Sequence, residues 1–222
     1  MIDALRREMA AAANPQKAQG MQAYMKSAMP YYGINMPQLR ALSRGVFTGA
    51  DMGCDAWRET ILELWRGARY REERYAALEL LMMKKHRECL GPELMPVLEE
   101  LVVTGAWWDT VDELAHVIGD LLRAHPKRMT PLMRRWSTDA NLWKRRVSII
   151  CQLGFKRETD LDLLYANIEG NLADRDFFIR KAIGWALRQY AWTDPAEVVR
   201  YVRANEARLS ALSRREALKN IS

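Results

Sequence analysis

No run of 18 apolar residues occurs in this 222-residue chain, so the sequence predicts no membrane-spanning helix. The opening Met1-Ile2-Asp3-Ala4-Leu5-Arg6 lacks the basic-then-apolar build of a secretion signal. Cysteine is scarce: Cys54, Cys89 and Cys151 are widely spaced and odd in number. That usage suits a reducing interior and a cytoplasmic location, and it offers no ligand cluster. His86, His116 and His125 are equally scattered, so no metal site of ordinary type is expected. There is no phosphate-cradling glycine loop, no dinucleotide fingerprint and no Gly-x-Ser-x-Gly elbow. An enzyme built from these residues works with aromatic and carboxylate groups, without metal or cofactor. Alternating strand patterns are missing too.

What is present is helical. Apolar stripes at helical spacing fit Ala56 to Trp65, Glu72 to Lys85, Leu94 to Val103, Trp107 to Leu122, Leu142 to Leu153, Leu161 to Leu172, Phe177 to Tyr190, Pro195 to Ala204 and Ser210 to Ile221. Breaks fall at Asn14-Pro15, Met36-Pro37, Gly91-Pro92, His125-Pro126 and Asp194-Pro195, where proline suits a first helical turn. Helices this short, with short connectors, must fold back on their neighbours. Similar pairs return at a spacing near 35 to 40 residues, although no clean sequence repeat is visible. The expectation is one domain over residues 1–222, a short all-α solenoid with a concave surface. The alternative is a compact irregular bundle.

Charge is uneven. The net charge is +6. Residues 1–122 hold 14 Lys/Arg against 17 Asp/Glu, and residues 123–222 hold 20 against 11. A basic half points to an anionic partner such as nucleic acid, unless the charges only solvate helix backs.

Three clusters stand out. In Trp107-Trp108-Asp109-Thr110-Val111-Asp112, Trp108 and Asp112 are four apart and share a helix face. An indole beside an anion suits a cationic, electron-poor group; plain packing of Trp108, and a solvated or salt-bridged Asp112, are the bland readings. Asp109 could cap the helix. Trp57, Trp65, Trp136 and Trp192 are expected in the core. In Asn141-Leu142-Trp143-Lys144-Arg145-Arg146, three successive cations near a helix start oppose the helix dipole, a cost that a phosphate partner would offset. In Phe177 to Arg188, Lys181, Trp185 and Arg188 form an aromatic-cationic face, and Gly184 permits close approach of a helix or ligand. Tyr24-Met25-Lys26 adds a weaker aromatic signal.

Taken in order, Tyr24-Met25-Lys26, Trp107 to Asp112, Asn141 to Arg146, Lys181-Ala182-Ile183-Gly184-Trp185 and Leu212-Ser213-Arg214-Arg215-Glu216-Ala217 resemble the AlkD-type DNA alkylation repair glycosylases. The resemblance covers nearly the whole chain. It implies a right-handed α-α superhelix of HEAT-like antiparallel helix pairs with a concave basic groove. It also implies excision of cationic N3- or N7-alkylated purines, such as 3-methyladenine and 7-methylguanine, from duplex DNA. The family's catalytic aspartate falls on Asp112 and its cleft tryptophans on Trp108 and Trp185. Its phosphate-contacting arginine falls on Arg146 and its lesion-proximal tyrosine on Tyr24. Lys26, Lys144, Lys181 and Arg188 are expected to add DNA contacts. No cofactor, no membrane and no obligate protein partner are expected, and a monomer suffices. A non-catalytic helical-repeat DNA binder or a protein-binding scaffold is the alternative.

Overall fold

A computed structural model describes residues 1–221; all its regular structure is helical, and no strand occurs among the described residues. The contacts gather into two compact units, Met1–Leu90 and Gly91–Ser222.

The first unit holds α1 (Ile2–Ala11), α2 (Pro15–Met25), α3 (Met36–Phe47), α4 (Cys54–Arg66) and α5 (Arg71–Leu81). Local chemistry sets the starts of α2 and α3. The side chains of Asn14 and Asn35 accept from Lys17 N and Gln38 N, with a proline in each first turn. Helices α1 and α5 pack on α3, and α4 packs on α5. Trp57 and Trp65 are 1% exposed, as expected of core residues.

Two carboxylates at the start of α5 are buried outright. Glu72 accepts the backbone N–H groups of Tyr32, Gly33 and Ile34 at 3.0, 2.8 and 3.2 Å. Glu73 accepts from Arg6 Nε and from the Tyr32 hydroxyl, each at 3.0 Å. Together they pin the segment 32–34. Gly33 is obligatory there: its φ is +86°, and a Cβ would stand 2.1 Å from Asn14 O.

Two expectations need correction in this unit. The helix read over Glu72 to Lys85 stops at Leu81, and the chain turns through a 3-10 segment, Lys84–Cys89. Lys85 is drawn instead to the end of α3, where its Nζ donates to the carbonyls of Phe47, Thr48 and Ala50 at 2.6, 3.1 and 2.7 Å. Cys54 and Cys89 form a disulfide across 35 residues, so cysteine usage does not speak for a reducing interior. Only the packing of α4 beside the 3-10 turn makes the pair, and spacing did not reveal it. Cys151 alone is free; burial pushes its thiol up to about 12.

The second unit holds α6 (Met95–Gly105), α7 (Trp108–Ala124), α8 (Pro126–Trp136), α9 (Leu142–Ile150), α10 (Leu161–Glu169), α11 (Phe177–Ala191), α12 (Pro195–Ala204) and α13 (Ala211–Ala217). Helices α7, α9 and α11 lie side by side. Helix α8 packs on α7 and α9, and α10 packs on α8 and α9. Each row member is therefore backed by a helix that follows it, the pattern of an α-α superhelical repeat. Helix α8 escaped the periodicity reading because Pro131 interrupts it. Trp136 is buried at 3%, but Trp192 is 72% exposed, against expectation. It caps α11 rather than lying inside it, so helical spacing no longer fixes its direction. No helix of the described residues is long and apolar enough to cross a membrane.

Candidate active site

The first turns of α7, α9 and α11 meet through aromatic rings. Trp107, just ahead of α7, lies 6.2 Å from Trp143 and 5.2 Å from Phe178, and those two rings are 5.1 Å apart. Caps fix two of the starts. Asn141 accepts from Trp143 N and Lys144 N, and Asp176 accepts from Phe178 N. At α7, no side chain caps Trp107; Thr110 Oγ1 donates to Trp107 O, and Asp109 Oδ1 accepts Thr110 N. Asp109 thus lies within the first turn and is not the N-cap.

Above this cluster, Arg146 on α9 grips Asp112 on α7. Its Nε donates to Oδ1 at 2.7 Å and its Nη2 to Oδ2 at 2.8 Å, a bidentate pair. Nη1 donates to Phe178 O on α11 at 2.7 Å. The Arg146 side chain is 4% exposed and that of Asp112 is 16% exposed. The guanidinium carbon sits 6.0 Å from the Trp185 ring and 6.0 Å from the Phe178 ring. Trp108 is the first residue of α7, one turn before Asp112, and is half-buried, as is Trp185.

Asp112, Arg146 and Trp185 are thus brought together, with Trp108 one helical turn away. Each Asp112 oxygen spends one acceptor site on Arg146 and keeps another. Arg146 likewise has five N–H groups and uses three. A carboxylate with spare lone pairs, at a partly open position beside an indole, can stabilise positive charge or orient a water.

The other expected residues are placed differently. Lys144 is 14% exposed and pairs with Glu99 and with Asp139, the latter at 3.1 Å. Burial pulls its ammonium down, but those two carboxylates outweigh it and raise it. Lys181 and Arg188 share Glu216 of α13, Lys181 at 2.7 Å. The Lys181 hydrogen bond first, and Arg188 beside it, hold the Glu216 carboxyl below its ordinary value. Gly184 lets α13 come that close: a Cβ there would stand 2.5 Å from Glu216 Cβ and 2.8 Å from Ser213 O. In the first unit, Tyr24 is 77% exposed and Lys26 ends α2 with φ +49°.

Sequence reasoning missed Phe178, whose carbonyl fixes Arg146 and whose ring joins the three helix starts. A backbone acceptor leaves no residue-type signal. It also missed the clamp on Glu216, although Glu216 lies in the segment Leu212 to Ala217.

A row of α-helical repeats presenting a guanidinium-held carboxylate among indoles defines a helical-repeat protein with an aromatic, acid-centred site. The sequence profile of the DNA alkylation repair enzyme family matches residues 5–221. The chain belongs to that family. Among solved structures, a predicted DNA alkylation repair enzyme from Enterococcus faecalis is 31% identical, with a TM-score of 0.86, over 95% of this chain and 97% of that one. The crystal structure of smu.31 from Streptococcus mutans UA159 shares the fold at 15% identity and a TM-score of 0.62, over 93% of this chain and 98% of that one. No curated protein matches the chain.

Proposed function

We propose that this protein is a monofunctional DNA glycosylase, acting as a monomer over residues 1–222. Its substrates are cationic N3- or N7-alkylated purines in duplex DNA. The observation that carries the reading is the Asp112 carboxylate, gripped by Arg146 beside Trp185 in a member of a DNA alkylation repair family.

Alkylation at N3 or N7 gives the purine a formal positive charge. The base then leaves as a neutral molecule and needs no general acid. As the bond to C1′ lengthens, positive charge passes from base to sugar. Asp112 stabilises that charge electrostatically and orients the water that adds to C1′. The water gives up a proton to solvent, and an abasic sugar and a neutral base result. Trp108 and Trp185 bracket the sugar, their faces favouring its cationic character. Arg146 holds Asp112 in place, and a backbone phosphate reaches its two unused N–H groups only when DNA binding opens the cover over a guanidinium that is 4% exposed. Tyr24 and Lys26 are exposed and free to meet the duplex, whereas Lys144, Lys181 and Arg188 contact it only by sharing themselves with Glu99, Asp139 and Glu216. Asp112 is paired with Arg146 and not with a lysine, so water rather than an amine attacks C1′ and the strand stays intact after excision.

The test is product analysis. A duplex carrying 7-methylguanine should release the free base and leave an abasic site cleaved only on later treatment with alkali. Undamaged guanine should stay in place. A chain that binds the duplex but releases no base is a DNA binder, and the glycosylase reading fails.

A further inference from the structure

We propose that a cavity beside Trp192 binds an unpaired nucleotide, with its base stacked on the indole and its phosphate on Lys156 and Arg157. The cavity lies between the ends of α9 and α11 and encloses about 380 Å³, within the range of about 300–1,000 Å³ that takes small ligands. Ile149, Leu164 and Ala186 give it a buried apolar wall. Trp192 stands at its edge, 72% exposed. An indole this open contributes little to the core, and its free face is a stacking surface.

Charge among the lining residues has one sign, with Asp194 and Glu197 beyond them near Tyr190. No carboxylate lines the cavity, and Lys156 does. Arg157 lines the adjoining recess together with Lys156 and Trp192. The carboxylate of that recess, Glu158, is taken by Arg123 at 2.8 Å. Lys156 and Arg157 are exposed and make no ion pair among the described residues. Lys156 moreover holds a left-handed backbone, φ +54°, two residues after Gly154 at φ +82°. The turn thus projects the ammonium at a strained position that a glycine would fill without strain.

A flat face, an apolar wall and two unpaired cations match a heteroaromatic base joined to a phosphate. An acidic peptide would satisfy the cations but leave the indole and the apolar wall unused. Trp192 follows Trp185 by seven residues, about 10 Å along the helix axis. None of Asp112, Arg146, Trp108 and Trp185 lines the cavity or its adjoining recess, so the site is separate from Asp112 and the inference stands without the glycosylase reading.

The shared chemistry has two sources, a free mononucleotide or a nucleotide in a single strand. AMP, a deoxyadenosine hexamer and inorganic phosphate are titrated into the full chain, with the indole N–H resonance of Trp192 observed. That resonance is assigned by its loss in Trp192→Ala. AMP and the hexamer should both shift it. A hexamer binding at least tenfold tighter than AMP assigns the site to a strand; equal affinity assigns it to the mononucleotide. Trp192→Ala, which touches no core contact, should weaken both by about tenfold or more, the order of one lost base–aromatic stack. Lys156→Gly with Arg157→Ala should weaken both and flatten their salt dependence. Three results each overturn the proposal: an unmoved Trp192 resonance, wild-type affinity in Trp192→Ala, or phosphate alone producing the shift that AMP produces.

Discussion

Exchanging Asp112 for asparagine and Arg146 for methionine, singly and together, probes the pair at the centre of the second unit. The guanidinium is 4% exposed and the carboxylate 16%, so water replaces a lost partner hardly at all at the arginine and only in part at the aspartate. Removing one member of a buried pair costs about 3–5 kcal/mol, because the other charge stays uncompensated. Asparagine keeps one acceptor oxygen for Arg146, which places Asp112→Asn near the low end, about 3 kcal/mol. Arg146→Met also severs the bond to Phe178 O, but Asp112 is the more open partner and can take up water. Its cost is also about 3 kcal/mol. The double variant leaves no orphaned charge. It should therefore be less destabilised than the sum of the singles, with a coupling energy of about 2–4 kcal/mol. At this chain length, 1 kcal/mol moves Tm by about 2–4 °C, so each single variant should melt about 6–12 °C below wild type. Urea and thermal unfolding of the four proteins give the cycle. Additivity within about 0.5 kcal/mol, the behaviour of independent sites, would refute the view that these side chains act as one unit.

Other perturbations give equally definite outcomes. The Glu216 carboxyl is held below its ordinary 4.5 by Lys181 and Arg188. Its stabilising share is present above that pH and fades as pH falls through the depressed folded value. Glu216→Gln should therefore be less stable than wild type near neutrality and lose less on acidification below about 4.5, as followed by urea unfolding across pH. Gly184→Ala gains about 1 kcal/mol of helix propensity, yet its methyl meets Glu216 Cβ at 2.5 Å. Overpacking costs about 1–3 kcal/mol, so a net loss of stability is expected, and a stabilised variant would contradict the close crossing of α11 and α13. Replacing Cys54 and Cys89 together by serine opens a loop of 35 residues and should cost about 3–4 kcal/mol on the chain-entropy estimate. A reductant should reproduce that loss in the wild type and leave the double variant unchanged.

Helix identity was readable where one apolar stripe faces one neighbour. Pro195–Ala204 matches the expected bounds, its start marked by Asp194-Pro195, where Asp194 caps the helix; the caps Asn141 and Asp176 were not read from the sequence. The reading failed where tertiary contacts override the local pattern. Lys85 leaves a helical register to cap α3, and Pro131 sits inside α8 without ending it. Within the site, the shared face of Trp108 and Asp112 followed from spacing alone. Their partner did not: Arg145 and Arg146 are adjacent cations, and only the packing of α9 sends Arg146 to Asp112 and Arg145 to Asp174. The mutual neutralisation of Lys181, Arg188 and Glu216 was hidden for the same reason: α13 follows α11 in the chain only after α12, and their close crossing at Gly184 is what brings the three side chains together. The charge asymmetry of the second half thus overstates its free positive charge, because several of those cations are spent on internal carboxylates.

The most direct measurement is single-turnover release of 7-methylguanine by Asp112→Asn, with protein in excess and duplex occupancy matched to wild type by a parallel binding titration. If the carboxylate stabilises the sugar as it loses its base, duplex affinity should stay within a few fold while excision slows by about 10² or more. Excision within tenfold of wild type at full occupancy would contradict that role for Asp112.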